Sequence, residues 1–141
     1  MARDAAGKLW HCIARGKKRD VAVNDVVHLT DLGNSGDVSQ PQAVIDEIEV
    51  RSNLFRRSDQ FKEKAIAANV DQVWFVVATE PSFDPELLSR VQIACAAEGI
   101  NFTIILNKAD LTDLLPRAED LLNIFARIGI PVIQTSTLNG Q

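Results

Sequence analysis

Residues 73–78, Val73-Trp74-Phe75-Val76-Val77-Ala78, form an unbroken apolar run rather than the in–out alternation of a one-sided strand. Such a run marks a strand covered on both faces, the habit of parallel sheets. Asp84-Pro85 follows, an N-cap and a proline suited to the first helical position. Leu87, Leu88, Val91, Ala94 and Cys95 then fall on one helical face, and Gly99 is a stop. A second apolar run, Phe102–Leu106, precedes a helix that opens at Pro116. That helix turns Leu121, Leu122, Phe125 and Ile128 inward and stops at Gly129. A strand over 131–135 completes β-α-β-α-β. This order restricts the second half to a parallel sheet with right-handed crossovers.

The first half keeps a different rhythm. Lys8–Ala14, Val26–Thr30 and Gln42–Val50 are rich in β-branched or aromatic residues, and Gly- and Asn-bearing turns separate them. Short strands of this kind predict a small barrel such as an OB-fold. Three strands are legible where that fold needs five. The expectation is therefore an OB-like barrel that is incomplete, or whose first strand lies before Met1. The boundary between the halves is expected near residues 56–70.

Asn107-Lys108-Ala109-Asp110 reads as N-K-x-D at the carboxyl end of the second apolar run. Open α/β sheets bind ligands at the carboxyl ends of their strands. A carboxylate at Asp110 can accept from guanine N1–H and from the 2-amino group. Adenine would leave it buried and unpaired. Asn107 can support the loop and face the purine N7/O6 edge. The Lys108 stem can lie on the base while its ammonium stays in water. The competing reading is a plain strand–helix turn with Asp110 or Thr112 as a helix N-cap. After the last run comes Thr135-Ser136-Thr137, a small polar loop placed to close over a base.

The phosphate half of such a site is not in the sequence. G-x-x-x-x-G-K-[S/T] cradles phosphates with backbone N–H groups and places a lysine on the β/γ oxygens. Gly7-Lys8 is followed by Leu9 and Gly16-Lys17 by Lys18, and neither has the earlier glycine at the right offset. Either the nucleotide domain is degenerate, or its order is permuted and the loop lies beyond Gln141. Asn139-Gly140 reads as a turn in mid-domain. No catalytic residue and no metal ligand can be assigned.

At 46% hydrophobic and 24% charged, the chain has globular composition. It holds no apolar run of the ~18 residues that span a bilayer and no apolar signal core. Cys12 and Cys95 match neither a disulfide framework nor a zinc spacing, and read as buried free thiols of a reducing cytoplasm. His11 and His28 read as lone structural or surface histidines. The net charge of −4 conceals an asymmetry: residues 1–68 carry 11 Lys and Arg against 10 Asp and Glu, residues 69–141 carry 4 against 9. Arg15, Lys17, Lys18 and Arg19 form one basic cluster and are candidate RNA-phosphate contacts. Arg51, Arg56, Arg57, Lys62 and Lys64 form another.

Ala14-Arg15-Gly16-Lys17, Val23-Asn24-Asp25-Val26-Val27, Arg56-Arg57-Ser58, the block Ile66–Gln72 and Ile105-Leu106-Asn107-Lys108-Ala109-Asp110-Leu111 together resemble the bacterial ribosome small-subunit-dependent GTPase A family. The resemblance runs from about Gly7 to Gly140. It implies an OB-fold-like RNA-binding domain over 1–58, then part of a circularly permuted P-loop GTPase domain over 68–141. Permutation would explain a base-reading motif that precedes its phosphate loop. The family implies GTP hydrolysis in late maturation of the small (30S) ribosomal subunit. GTP or GDP with Mg2+ would be the ligand, rRNA and the small subunit the partners. The protein would be a cytoplasmic monomer without membrane contact. Asn107, Lys108, Ala109, Asp110 and Ser136 carry over as guanine-binding positions. Thr137 stands where the family commonly has alanine, and Asn24 where it usually has glycine. Magnesium ligands, and the zinc site of a further domain, have no counterpart here, so this chain by itself is expected to bind GTP poorly and hydrolyse none. The rival expectation is a nucleotide-independent RNA-binding or interaction module.

Overall fold

The structure is a computed structural model that describes residues 1–14, 21–33, 41–58 and 63–140. It divides into two units, Met1–Asn69 and Val70–Gln141. No helix among the described residues is long and apolar enough to cross a membrane.

The first unit is all β. Strands β1 (Ala2–Arg3), β2 (Leu9–Ala14), β3 (Val27–Asp31) and β4 (Gln42–Ile48) form a curled half-barrel sheet in the order β1-β2-β4-β3. β2 runs parallel to β4, with His11 opposite Gln42, while β3 is antiparallel to β4. The three expected strands are present with ends moved by one or two residues. The sequence reading missed β1 and a hairpin, β5 (Leu54–Ser58) with β6 (Glu63–Ala68). Charges on Arg56, Arg57, Glu63 and Lys64 hide the hairpin's strand pattern. Among the described residues the strands do not close into a barrel.

Three alanines and one isoleucine, Ala22, Ala43, Ala68 and Ile45, are the buried apolar side chains among the described residues of this unit. Polar ties do the rest. The Arg51 guanidinium donates from Nε to Asp25 Oδ1 at 2.7 Å and from a terminal nitrogen to Oδ2 at 2.8 Å. The Asp25 side chain is 1% exposed and also accepts from the Ala22 N–H. Arg51, then the Ala22 amide, hold the Asp25 carboxyl below the usual carboxylate range, against the opposing effect of burial. Asn24 sits at φ 65°, a left-handed conformation that suits glycine and that Asn tolerates. Asn69, at φ 52°, accepts from Ser52 N–H and donates to the Asn24 carbonyl. The β1–β2 turn is built on Asp4, which accepts from Trp10 Nε1, Lys8 N and Ala6 N. Trp10, then the Lys8 amide, lower the Asp4 pKa, and the Lys8 ammonium lies 4.1 Å from the centre of the Trp10 ring.

The second unit is the expected β-α-β-α-β: β7 (Gln72–Ala78), α1 (Pro85–Ala97), β8 (Asn101–Asn107), α2 (Leu115–Arg127) and β9 (Val132–Gln134). The three strands are parallel in the order β7-β8-β9. Asp84 caps α1, its carboxylate accepting from Glu86 N at 2.8 Å. Val77 of β7, Ile104 and Leu106 of β8, Leu88 of α1, and Ala118, Leu122 and Phe125 of α2 form one core cluster. Burial of each large member contributes roughly 1.5–3 kcal/mol. Burial raises the pKa of the Cys95 thiol, while Cys12 is half-buried and its Sγ lies 3.6 Å from the Trp10 carbonyl.

The expectation that β7 is covered on both faces does not hold among the described residues. Phe75 and Val77 face the helices. Trp74 and Val76, of the opposite parity, are 66% and 62% exposed. Consecutive right-handed crossovers in one direction put both helices on one side. Leu87 and Ile128, read as inward, are likewise exposed.

Candidate guanine site

Strand β8 ends at Asn107, and the chain there must turn within one residue. Lys108 takes φ 60°, a left-handed conformation that costs a non-glycine residue of order 1 kcal/mol. Surrounding hydrogen bonds hold it. The Asn107 side-chain oxygen accepts from Lys108 N at 2.8 Å and from the Thr135 hydroxyl at 3.4 Å. Asn107 O accepts from Thr79 N at 3.2 Å, and the Thr79 hydroxyl donates to Lys108 O at 2.9 Å. The N–H groups of Ala109 and Leu111 donate to the carbonyls of Thr135 and Lys108. Residues from the ends of all three strands therefore fix this loop.

The five residues singled out in the sequence come together here. The Ser136 hydroxyl donates to Asp110 Oδ1 at 2.5 Å, across 26 positions of sequence. Ser136 is 1% exposed and its oxygen also accepts from Asn139 N at 3.2 Å. Asp110 is half-buried and keeps its other carboxylate oxygen free of described partners. The Asn107 side-chain oxygen is committed to the loop, which leaves its amide N–H2 as a donor. Neither Asp110 nor Thr112 caps α2; its N-cap is Leu114, with no side-chain bond. That removes the cap from the competing reading, while the strand–helix turn itself is present, with Leu111 N donating to Lys108 O and Thr112 N to Asp110 O. The Lys108 ammonium departs from the expectation of free hydration: it donates to the Glu80 carbonyl at 2.8 Å.

Two contributors escaped the sequence reading. Thr79 is buried and braces Lys108, and Glu80 receives the lysine. Their signal was position, at the carboxyl end of the neighbouring parallel strand. Arg15, Lys17, Lys18 and Arg19 lie outside the described residues. The second basic cluster divides: Arg51 is bound to Asp25 and Arg56 to Glu63 at 3.2 Å, Arg57 and Lys64 stand opposite each other on β5 and β6, and Lys62 lies outside the described residues. Among the described residues no group of three or more His, Cys, Asp or Glu could hold a metal ion. A depression of about 450 Å³, lined by Gln72, Gln92, Asn101, Thr103 and Pro131, sits at the amino ends of the strands, away from this loop.

A constellation of this kind at strand ends is open to comparison. The model of the RsgA GTPase family matches residues 48–141. The small ribosomal subunit biogenesis GTPase RsgA of Paraburkholderia xenovorans is 43% identical over 136 residues, which are 96% of this chain and 41% of that protein. The protein of the same name from Ralstonia nicotianae is 40% identical over 130 residues, 92% of this chain and 39% of that protein. The chain thus spans about two fifths of the length of these curated relatives. The crystal structure of YjeQ from Thermotoga maritima superposes with a TM-score of 0.62 at 24% identity. The match covers 96% of this chain and 46% of that one, and shows the shared fold. With a family match over two thirds of its length and a core that carries N-K-x-D at the end of β8, this chain belongs to the RsgA GTPase family.

Proposed function

We propose that this chain is the guanine-reading part of a cytoplasmic GTPase that acts in late maturation of the small ribosomal subunit. Asn107, Lys108, Ala109, Asp110 and Ser136 bind the base, and the first unit contacts rRNA. The ligand is GTP or GDP with Mg2+. The magnesium ligands belong to a phosphate-binding segment these 141 residues do not contain, and zinc to a further domain. The relatives' names support the ribosomal and GTPase parts of this reading. The protein acts as a monomer.

The observation that carries the guanine assignment is the Ser136–Asp110 bond. It orients the carboxylate before any ligand arrives, with one oxygen held by the hydroxyl and the other open to N1–H and the 2-amino group. Preorganisation of this kind lowers the ordering cost of recognition. The residues suit guanine on donor–acceptor grounds: Asp110 accepts, and the Asn107 amide donates toward N7 and O6. Phosphate contacts supply much of the affinity of such sites, and γ-phosphate positioning supplies the catalysis. The 141-residue chain therefore binds a fluorescent GDP analogue weakly and hydrolyses no GTP. Tight binding by this chain would contradict the dependence on phosphate contacts outside these residues.

The direct test is Asp110→Asn, made where these residues are joined to a phosphate-binding loop. The amide presents a donor where guanine also presents one, so preference moves from guanine to xanthine nucleotides by at least about 100-fold. An unchanged preference, measured by competition, removes Asp110 from the site, whereas no nucleotide binding at all favours a nucleotide-independent RNA-binding module.

A further inference from the structure

The β5–β6 hairpin places two cations where sheet energetics disfavour them. Arg57 and Lys64 are directly opposite in the antiparallel register. Opposite residues hold their Cβ atoms about 4.5–5.5 Å apart, and like charges in that relation are destabilising. Both side chains are exposed, and among the described residues neither makes an ion pair. The adjacent charges behave otherwise: Arg56 is neutralised by Glu63 at 3.2 Å.

This contrast extends through the first unit. Its described cations are Arg3, Lys8, Arg51, Arg56, Arg57 and Lys64. Lys8 stacks on Trp10, Arg51 is locked on Asp25, and Arg56 is on Glu63. Of the remaining three, two face each other across one hairpin. Residues 1–68 nearly balance 11 Lys and Arg against 10 Asp and Glu, yet this pair has no acidic partner among the described residues. A local repulsion of this kind is relieved by an anion that meets both groups together.

We propose that the paired strands β5 and β6 form a contact ridge for the phosphodiester backbone of RNA, with Arg57 and Lys64 as its paired cations. Two long, flexible side chains at this spacing can meet neighbouring phosphates along one strand. Regularly repeated charge is a property of nucleic acid, whereas carboxylates on a protein surface are irregular. The inference rests on the rRNA-contacting reading of the first unit and adds the surface that makes the contact.

The test compares the 141-residue chain with its Arg57→Ala/Lys64→Ala variant. The probe is a short labelled RNA duplex, titrated from about 50 to 200 mM salt. Loss of two phosphate contacts makes the slope of log K against log salt shallower by about 1.4 to 1.8. The exchanged variant Arg57→Lys/Lys64→Arg keeps both charges and keeps the slope, which separates charge from folding. The pair Arg56→Ala/Glu63→Ala removes a neutralised couple and also leaves the slope unchanged. A wild-type slope in the double-alanine variant overturns the proposal while the RNA reading stands. Loss of affinity for polyglutamate but not for RNA overturns it in favour of an acidic protein partner. No RNA binding by the unmodified chain overturns both readings.

Discussion

In the second unit, seven side chains from two strands and two helices meet in one apolar cluster, Phe125 and Leu106 among them. In the first unit the buried apolar residues among those described are Ala22, Ala43, Ile45 and Ala68. There the stabilising contacts are polar: Arg51 on Asp25, Asn69 on Ser52 and Asn24, Asp4 on Trp10. The two constructions tolerate change differently. An apolar cluster loses energy in proportion to the volume removed. A buried ion pair loses most when one partner is taken away, because the other is left charged and dry.

Phe125→Ala should therefore have the largest effect, a loss of about 4 kcal/mol, read as lost hydrogen-exchange protection in β7, β8 and β9. A loss under about 1 kcal/mol would mean that the cluster does not hold the sheet. Asp25→Ala should cost about 3 kcal/mol, read in β2 and β4, since Arg51 keeps partial access to water. If Asp25→Ala proved as mild as an exposed substitution, the contrast between the units would collapse.

Acid should separate the units further. The folded Asp25 carboxyl titrates below its unfolded counterpart, whose value is about 3.9. Its contribution is thus complete above that value and is lost as pH falls through it toward the folded pKa. Protection of β2 and β4 should fall below about pH 4, and Asp25→Asn should flatten that part of the profile. An Asp25→Asn profile that falls as steeply as wild type would transfer the effect to other groups. The smallest effect concerns Asn24. Asn24→Ala should cost about 1 kcal/mol at its positive φ, and Asn24→Gly should stay within about 0.5 kcal/mol of wild type. Equal costs for the two would argue against a left-handed turn there.

The same contrast explains what could be read from the residues alone. Period and punctuation announce the second unit: an apolar run, Asp84-Pro85, Gly99, a second run, Pro116 and Gly129. Its helices start and stop near where those signals stand. The first unit has no comparable period, because alanines fill its interior and charges decorate its hairpin, so β5 and β6 went unread. The candidate site divides in the same way. N-K-x-D announces Asn107 and Asp110 because a motif is local. Thr79 acts through the Lys108 carbonyl from 29 positions away, and only the parallel register brings the two together. Apolarity alone also does not tell the two faces apart: Trp74 and Val76 are as hydrophobic as their neighbours, yet among the described residues the helices cover the other side.

The Asn69 tie has a consequence for biosynthesis. Asn69 closes the first unit by donating to the Asn24 carbonyl, and Ala68 N–H donates to Val23 O at 2.8 Å. These bonds join the last residues of the unit to a turn 45 positions earlier. Synthesis proceeds from the amino end at about 5–20 residues per second. The turn at Asn24 therefore emerges seconds before its partner and must wait, unclosed, until residue 69 has left the exit tunnel. Vectorial synthesis thus makes closure of the first unit a late event, timed by the same residue that marks its end.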